Sequence, residues 1–136
     1  MNKLKTLRHV VASVVLLATG AARAADIVVI GHPSSAALSK DQIVDVYTGK
    51  TQVATPLDQV ESAAIRPEFY KKAAGKDLPQ IKAIWSRLTF TGKGQPPKEL
   101  PDSAAVKKAV AADPKAIGYI EKAAVDASVK VLLSVE

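Results

Sequence analysis

Apolar and polar positions alternate along this chain in blocks that change period several times. Asp26–Gly31, "DIVVIG", is a continuous apolar run closed by glycine, the pattern of a strand buried on both faces. The polar stretch "HPSSAAL" follows as a loop. Ser39-Lys40-Asp41-Gln42 fits a capping box and predicts a helix start at Ser39. Ile43, Val44, Val46 and Tyr47 give that helix one apolar face, and Gly49 stands where a left-handed C-terminal cap belongs. "TQVATPL" reads as an extended or edge segment rather than another helix, because of Pro56.

A second helix is predicted over Glu61–Lys72, with its start blurred by Pro67 and its inner face at Phe69, Tyr70 and Ala73. Gly75 closes it. Asp77-Leu78-Pro79-Gln80 opens a third helix, whose stripe Ile81, Ile84, Trp85 and Leu88 recurs at i, i+3, i+4 and i+7. "TFTGKGQPPKELP" is then a long turn-rich connection. Asp102 or Ser103 caps a fourth helix through Ala112, with Val106, Ala109 and Val110 inside and Pro114 preventing extension. Ala116–Ile120 and Val129–Val135 are the closing strands, the latter with Val129, Val131, Leu133 and Val135 on one face. The apolar residues are mostly small or β-branched, which suits mixed α/β packing.

Composition changes this picture at the N-terminus. Lys3, Lys5 and Arg8 precede the 11-residue apolar run Val10–Gly20, and Ala22-Arg23-Ala24 supplies small residues at −3 and −1 of a cleavage site. Residues 1–24 are therefore read as a cleavable signal peptide, and residues 25–136 as one secreted, periplasmic domain. A spanning anchor is the weaker reading, since it needs about 20 apolar residues. Cleavage removes four basic residues and no acidic ones, so the net charge falls from +6 to +2. The basic character belongs largely to the signal, and nucleic acid is excluded as an expected partner. With no cysteine there is no disulfide framework and no thiolate metal site.

Candidate chemistry is sparse. "VYTGKT" at residues 46–51 and "TGKG" at residues 91–94 resemble the end of a phosphate loop, but Val44 and Arg87 stand where its first glycine is required. Gly49-Lys50 also follows a helix end, where the partial charge is negative. Both segments read as helix endings. His32 beside Ser34 and Ser35 has the residue types of a nucleophile and base, but close neighbours on a short loop rarely orient one another as a triad does. The aspartates and glutamates show no metal-ligand spacing. No catalytic residue, metal ligand or cofactor is expected, and a small hydrolase is the disfavoured reading. Ser62–Arg66 offers a hydroxyl, free N–H groups and a guanidinium within one turn, which suits an oxyanion. The alternative is an N-cap serine followed by a surface arginine.

The order of these pieces carries a resemblance. "LSKDQIVDVYTGK", then Arg66-x-x-Phe69, Trp85 with "FTGKG", and "AIGYI" resemble the corresponding segments of phosphate ABC transporter substrate-binding proteins, in that family's order. The resemblance implies an α/β fold, a single periplasmic-binding-protein-like lobe with a mixed β-sheet flanked by about four helices. It also implies a non-enzymatic protein outside the cytoplasm, with phosphate or another small oxyanion as ligand and a membrane permease or sensor as partner. Full receptors of the family have two lobes, and their anion loop carries an arginine and then Ser-Gly-Thr. Here Gln59–Ile65 lacks the Gly-Thr pair and adds Glu61. The expected ligand-facing groups are Ser62, Ala63, Ala64 and Arg66 at the second helix, with His32, Ser34 and Ser35 after the first strand. The alternative is an interaction or sensory module that keeps the lobe and docks a membrane sensor or a second copy of itself.

Overall fold

The computed structural model describes residues 26–135, so the expected signal peptide lies outside the described residues. Five strands form one mixed sheet: β1 (Ile27–Gly31), β2 (Thr55–Gln59), β3 (Lys98–Leu100), β4 (Ala116–Glu121) and β5 (Lys130–Val135), in the order β3-β2-β4-β1-β5. β2 runs parallel to β3 and β4, while β1 is antiparallel to both of its neighbours, β4 and β5. Four helices cover the sheet: α1 (Lys40–Tyr47), α2 (Ile65–Ala74), α3 (Leu78–Phe90) and α4 (Ser103–Ala112).

The unbroken apolar run of β1 is explained by its central place, since successive side chains serve opposite faces. Ile27 and Val29 pack with residues of α1, α2 and α3, whereas Val28 and Ile30 pack with Val106 and Val110 of α4. Gly118 in β4 allows that second contact. A Cβ there would lie 2.3 Å from Val106 Cγ1.

Local signals set the helix ends as expected. Ser39 and Asp77 form complete capping boxes with Gln42 and Gln80. Asp102, rather than Ser103, caps α4 by accepting from the Ala105 N–H at 2.8 Å. Gly49 and Gly75 take left-handed conformations, with φ of 77° and 64°.

Elsewhere the sheet corrects the reading of the chain. The segment around Pro56 is extended, as one of its two readings had it, but it lies in an interior strand and not at an edge. The Thr55 N–H donates to Lys115 C=O on the β4 side, so the Pro56 nitrogen faces the other side. There β3 pairs only from Leu57 onward, and the missing N–H breaks no ladder bond. α2 begins at Ile65, not Glu61, because Val60–Ala63 forms a separate turn closed by Ala63 N–H to Val60 C=O at 2.9 Å. α3 runs on to Phe90, and β3 forms inside the stretch read as connection. In β5 the register shifts opposite Val29 and Ile30, which pair with Leu133 and Val131. Leu132 is the extra residue of this bulge. Val129 consequently packs on the α4 side and Val135 on the α1–α3 side, so the four alternating residues do not share a face.

Candidate ligand-binding site

The polar centre of the molecule lies where β2 runs out. Asp58 and Gln59, its last two residues, are each only 2% exposed. Asp58 accepts hydrogen bonds from Tyr119 Oη, from Tyr70 Oη at 2.6 Å and from the Gln59 N–H at 2.8 Å. Three donors on one carboxylate replace the water it has lost. Burial, and then the negative field of Asp58, push the hydroxyl pKa values of Tyr70 and Tyr119 well above the ordinary tyrosine range. Gln59 is fixed in turn by Tyr119 C=O and Ser103 Oγ, each at 3.0 Å, and Ser103 donates to Glu121.

Arg66, in the first turn of α2, reaches under this network and is 6% exposed. A surface arginine is thereby excluded. Its Nη1 donates to Gln59 C=O at 3.0 Å and to Glu99 Oε1 at 2.6 Å, while Nε stands 3.7 Å from Asp58 Oδ1. Burial opposes the guanidinium charge, but the Glu99 hydrogen bond and the fields of Asp58 and Glu99 outweigh it, leaving its pKa above the ordinary value. Nε is buried without a hydrogen-bond partner among the described residues. Asp58 and Glu99 were not singled out from sequence. Asp58 looked like one of several scattered acids, and Glu99 lay in a stretch read as a loop.

Above this layer the turn before α2 is open. Ser62 and Ala64 are exposed and Ala63 is half-buried. Among the described residues, no acceptor is paired with the N–H of Ser62, Ala64 or Ile65, or with the Ser62 hydroxyl. Glu61 is ion-paired with Lys82 from α3, and that hydrogen bond, followed by the lysine charge, lowers its pKa. The carboxylate added to this loop therefore arrives with its own counter-charge.

The other expected group sits elsewhere. β1 ends at Gly31 beside Ile117, near the starts of β2 and β4, because it runs antiparallel to them. The loop carrying His32, Ser34 and Ser35 is therefore at the opposite end of the sheet from Ser62, Ala63, Ala64 and Arg66. A strand of five or six residues, about 17–20 Å, separates them. One small ligand cannot touch both groups. Ser35 Oγ donates to Pro114 C=O at 3.0 Å, and Lys130 Nζ donates to Ser35 C=O at 3.2 Å.

His32 Nδ1 lies 2.7 Å from Ser34 Oγ and accepts the Ser34 N–H at 3.1 Å. The hydroxyl and main chain of one serine thus meet one ring nitrogen, as in a local turn. Among the described residues no carboxylate orients the ring, and no group of three His, Cys, Asp or Glu could hold a metal ion.

No protein-family model and no curated protein sequence matches the chain. Its fold does match solved structures. One belongs to a Clostridium perfringens protein assigned as a phosphate ABC transporter substrate-binding protein and holds bound phosphate. Its TM-score is 0.64 at 22% identity, over 79% of this chain and 44% of that one. Another is an ABC-type phosphate transport receptor from Vibrio cholerae, with a TM-score of 0.61 at 14% identity over 79% of this chain and 45% of that one. The fold is that of a periplasmic-binding-protein lobe. The chain spans less than half the length of these two proteins. No helix among the described residues is long and apolar enough to cross a membrane.

Proposed function

We propose that this protein is a non-enzymatic periplasmic binding protein that takes phosphate or a similar small oxyanion at the turn before α2, for uptake through a permease or for sensing. The observation that carries this reading is the set of unpaired donors at Ser62, Ala64 and Ile65, at the N-terminus of a ten-residue helix. Main-chain N–H groups and the helix dipole both favour an anion there. Arg66 is occupied below the turn, and the Gly-Thr pair of the related loop is absent. With each charge-assisted bond contributing about 1.5–3 kcal/mol, this lobe binds more weakly than a site with the full donor set. Calorimetric titration with phosphate and with sulfate tests the reading, and an absence of heat at millimolar anion sinks it. Ser62→Asp, which places a carboxylate at the turn before α2, is expected to abolish the heat and leave the thermal midpoint unchanged.

A second reading is favoured by Phe90, which is 92% exposed beside a groove, and by the match to less than half of the receptor chains. In that reading the lobe is an interaction or sensory module that docks a membrane sensor or a second copy of itself. Monomeric behaviour in light scattering, with no envelope protein captured, would remove its support.

A further inference from the structure

A groove of about 600 Å³ runs between α3 and β3. Asp58 and Arg66, both nearly fully buried, make its floor, and the exposed Phe90 stands at its rim. Trp85, Pro96 and Pro97 complete its flat apolar sides. None of Ser62, Ala63 or Ala64 lines it, so it is distinct from the turn before α2.

We propose that this groove binds a small organic anion, whose acidic group takes the place on Arg66 that Glu99 now holds. Glu99 shows that a carboxylate oxygen fits there, 2.6 Å from Nη1. Yet its side chain is 49% exposed, it projects from a three-residue edge strand, and Arg66 is its sole hydrogen-bond partner among the described residues. Meanwhile Arg66 keeps a buried Nε that has no hydrogen-bond partner among the described residues, with the Asp58 carboxylate 3.7 Å away. The guanidinium is therefore incompletely used, and one of its two carboxylates is loosely held. Exchanging Glu99 for an external carboxylate leaves the charge around Arg66 unchanged, so the fixed Asp58 does not forbid the incoming anion. Selectivity comes from the walls. An acid with a chain or ring buries apolar surface against Trp85, Phe90 and the two prolines, and a bare ion cannot.

Trp85 is the single tryptophan, so its fluorescence reports on the groove. The full chain would be titrated with octanoate, with octylammonium (the same body, opposite charge) and with acetate (the head alone). Octanoate is expected to give a saturable change, and acetate and octylammonium none over the same range. Glu99→Gln removes the competing charge at a half-exposed position. It is expected to tighten octanoate about tenfold, the difference between a charged and a neutral hydrogen bond. Phe90→Ala is expected to weaken octanoate several-fold while leaving any phosphate heat unchanged, which separates this site from the turn before α2. Equal response to octylammonium, no saturation with octanoate, or no gain in Glu99→Gln would each overturn the proposal.

Discussion

The two ends of the sheet handle polar residues in opposite ways. Where β2 and β4 finish, Asp58, Gln59, Arg66, Tyr70 and Tyr119 are buried and hydrogen-bonded to one another across three elements. Where β2 and β4 begin, polar residues serve turns in two kinds of arrangement. His32, Ser34 and Ser35 bond within their loop or to nearby main chain. The first Thr-Gly-Lys segment turns the chain at the end of α1, with Gly49 packed against the Trp85 and Leu88 side chains. Trp85 Nε1 in turn donates to Tyr47 C=O at 3.1 Å. One end is a cross-linked polar core, and the other is a set of turns. Chemistry suggested by residue types alone (a Ser-His pair, a Gly-Lys pair) fell at the end made of turns.

That contrast can be broken most directly at Asp58. Asp58→Ala leaves two buried hydroxyls without their acceptor and removes the carboxylate 3.7 Å from the buried guanidinium, and is expected to cost about 3–5 kcal/mol in urea unfolding. A loss below 1 kcal/mol would mean that the network is not holding the fold.

Alkali probes the same end. All three tyrosines of the chain are fully buried, and each has its pKa raised above the ordinary 10.0 by burial and then by Asp58. Above pH 10 the unfolded chain releases these protons while the folded chain keeps them. Stability is therefore fully present below pH 10 and falls above it, by up to about 4 kcal/mol per pH unit for three groups. Tyrosinate absorbance should rise together with loss of circular dichroism. Absorbance rising ahead of unfolding would contradict the burial.

The turn-built end predicts smaller and more local effects. Gly49 and Gly92 both have positive φ, 77° and 70°, but only Gly49 is crowded, since a Cβ there would lie 2.2 Å from Leu88 Cδ1. Gly49→Ala is expected to cost about 3 kcal/mol, combining left-handed strain with displacement of Leu88. Gly92→Ala, with strain alone, should cost about 1 kcal/mol. Equal losses in thermal melts would show that the crowding is relieved freely. Smallest of all, Ser35→Ala removes one exposed hydrogen bond and should cost under about 1 kcal/mol.

What could be read from the sequence follows the range of the interactions involved. The capping boxes at Ser39 and Asp77, the core stripe of α3 and the double-sided β1 are written within a few residues, and the structure has them where expected. The order of motifs carried the lobe fold. Ser62 was read as part of a helix beginning at Glu61, and the separate turn that holds it ahead of Ile65 was not legible. Arg66 was not legible as buried, because its environment is made by Asp58, Gln59 and Glu99, the last 33 residues away. Pro56 looked like an edge signal because its strand's two neighbours begin at different heights, which is a property of the sheet. The bulge at Leu132 likewise exists only in relation to β1, and a strict alternation along β5 cannot reveal it. His32 and Ser62 were grouped because both follow strands. The antiparallel placement of β1, which the chain does not announce locally, keeps them apart.

That placement also fixes an order of events during synthesis. β1 is made first among the strands, yet its two sheet neighbours, β4 and β5, are made last. Until residues 116–135 exist, Ile27–Gly31 has no strand to pair with, and the central ladder cannot close. The central ladder closes only once residues 116–135 have been made, a consequence of contacts that span nearly the whole described length. The same delay leaves an apolar, β-prone segment open to association with other chains while it waits. Holding that one segment until the last strand arrives is the task this topology sets for whatever escorts the chain.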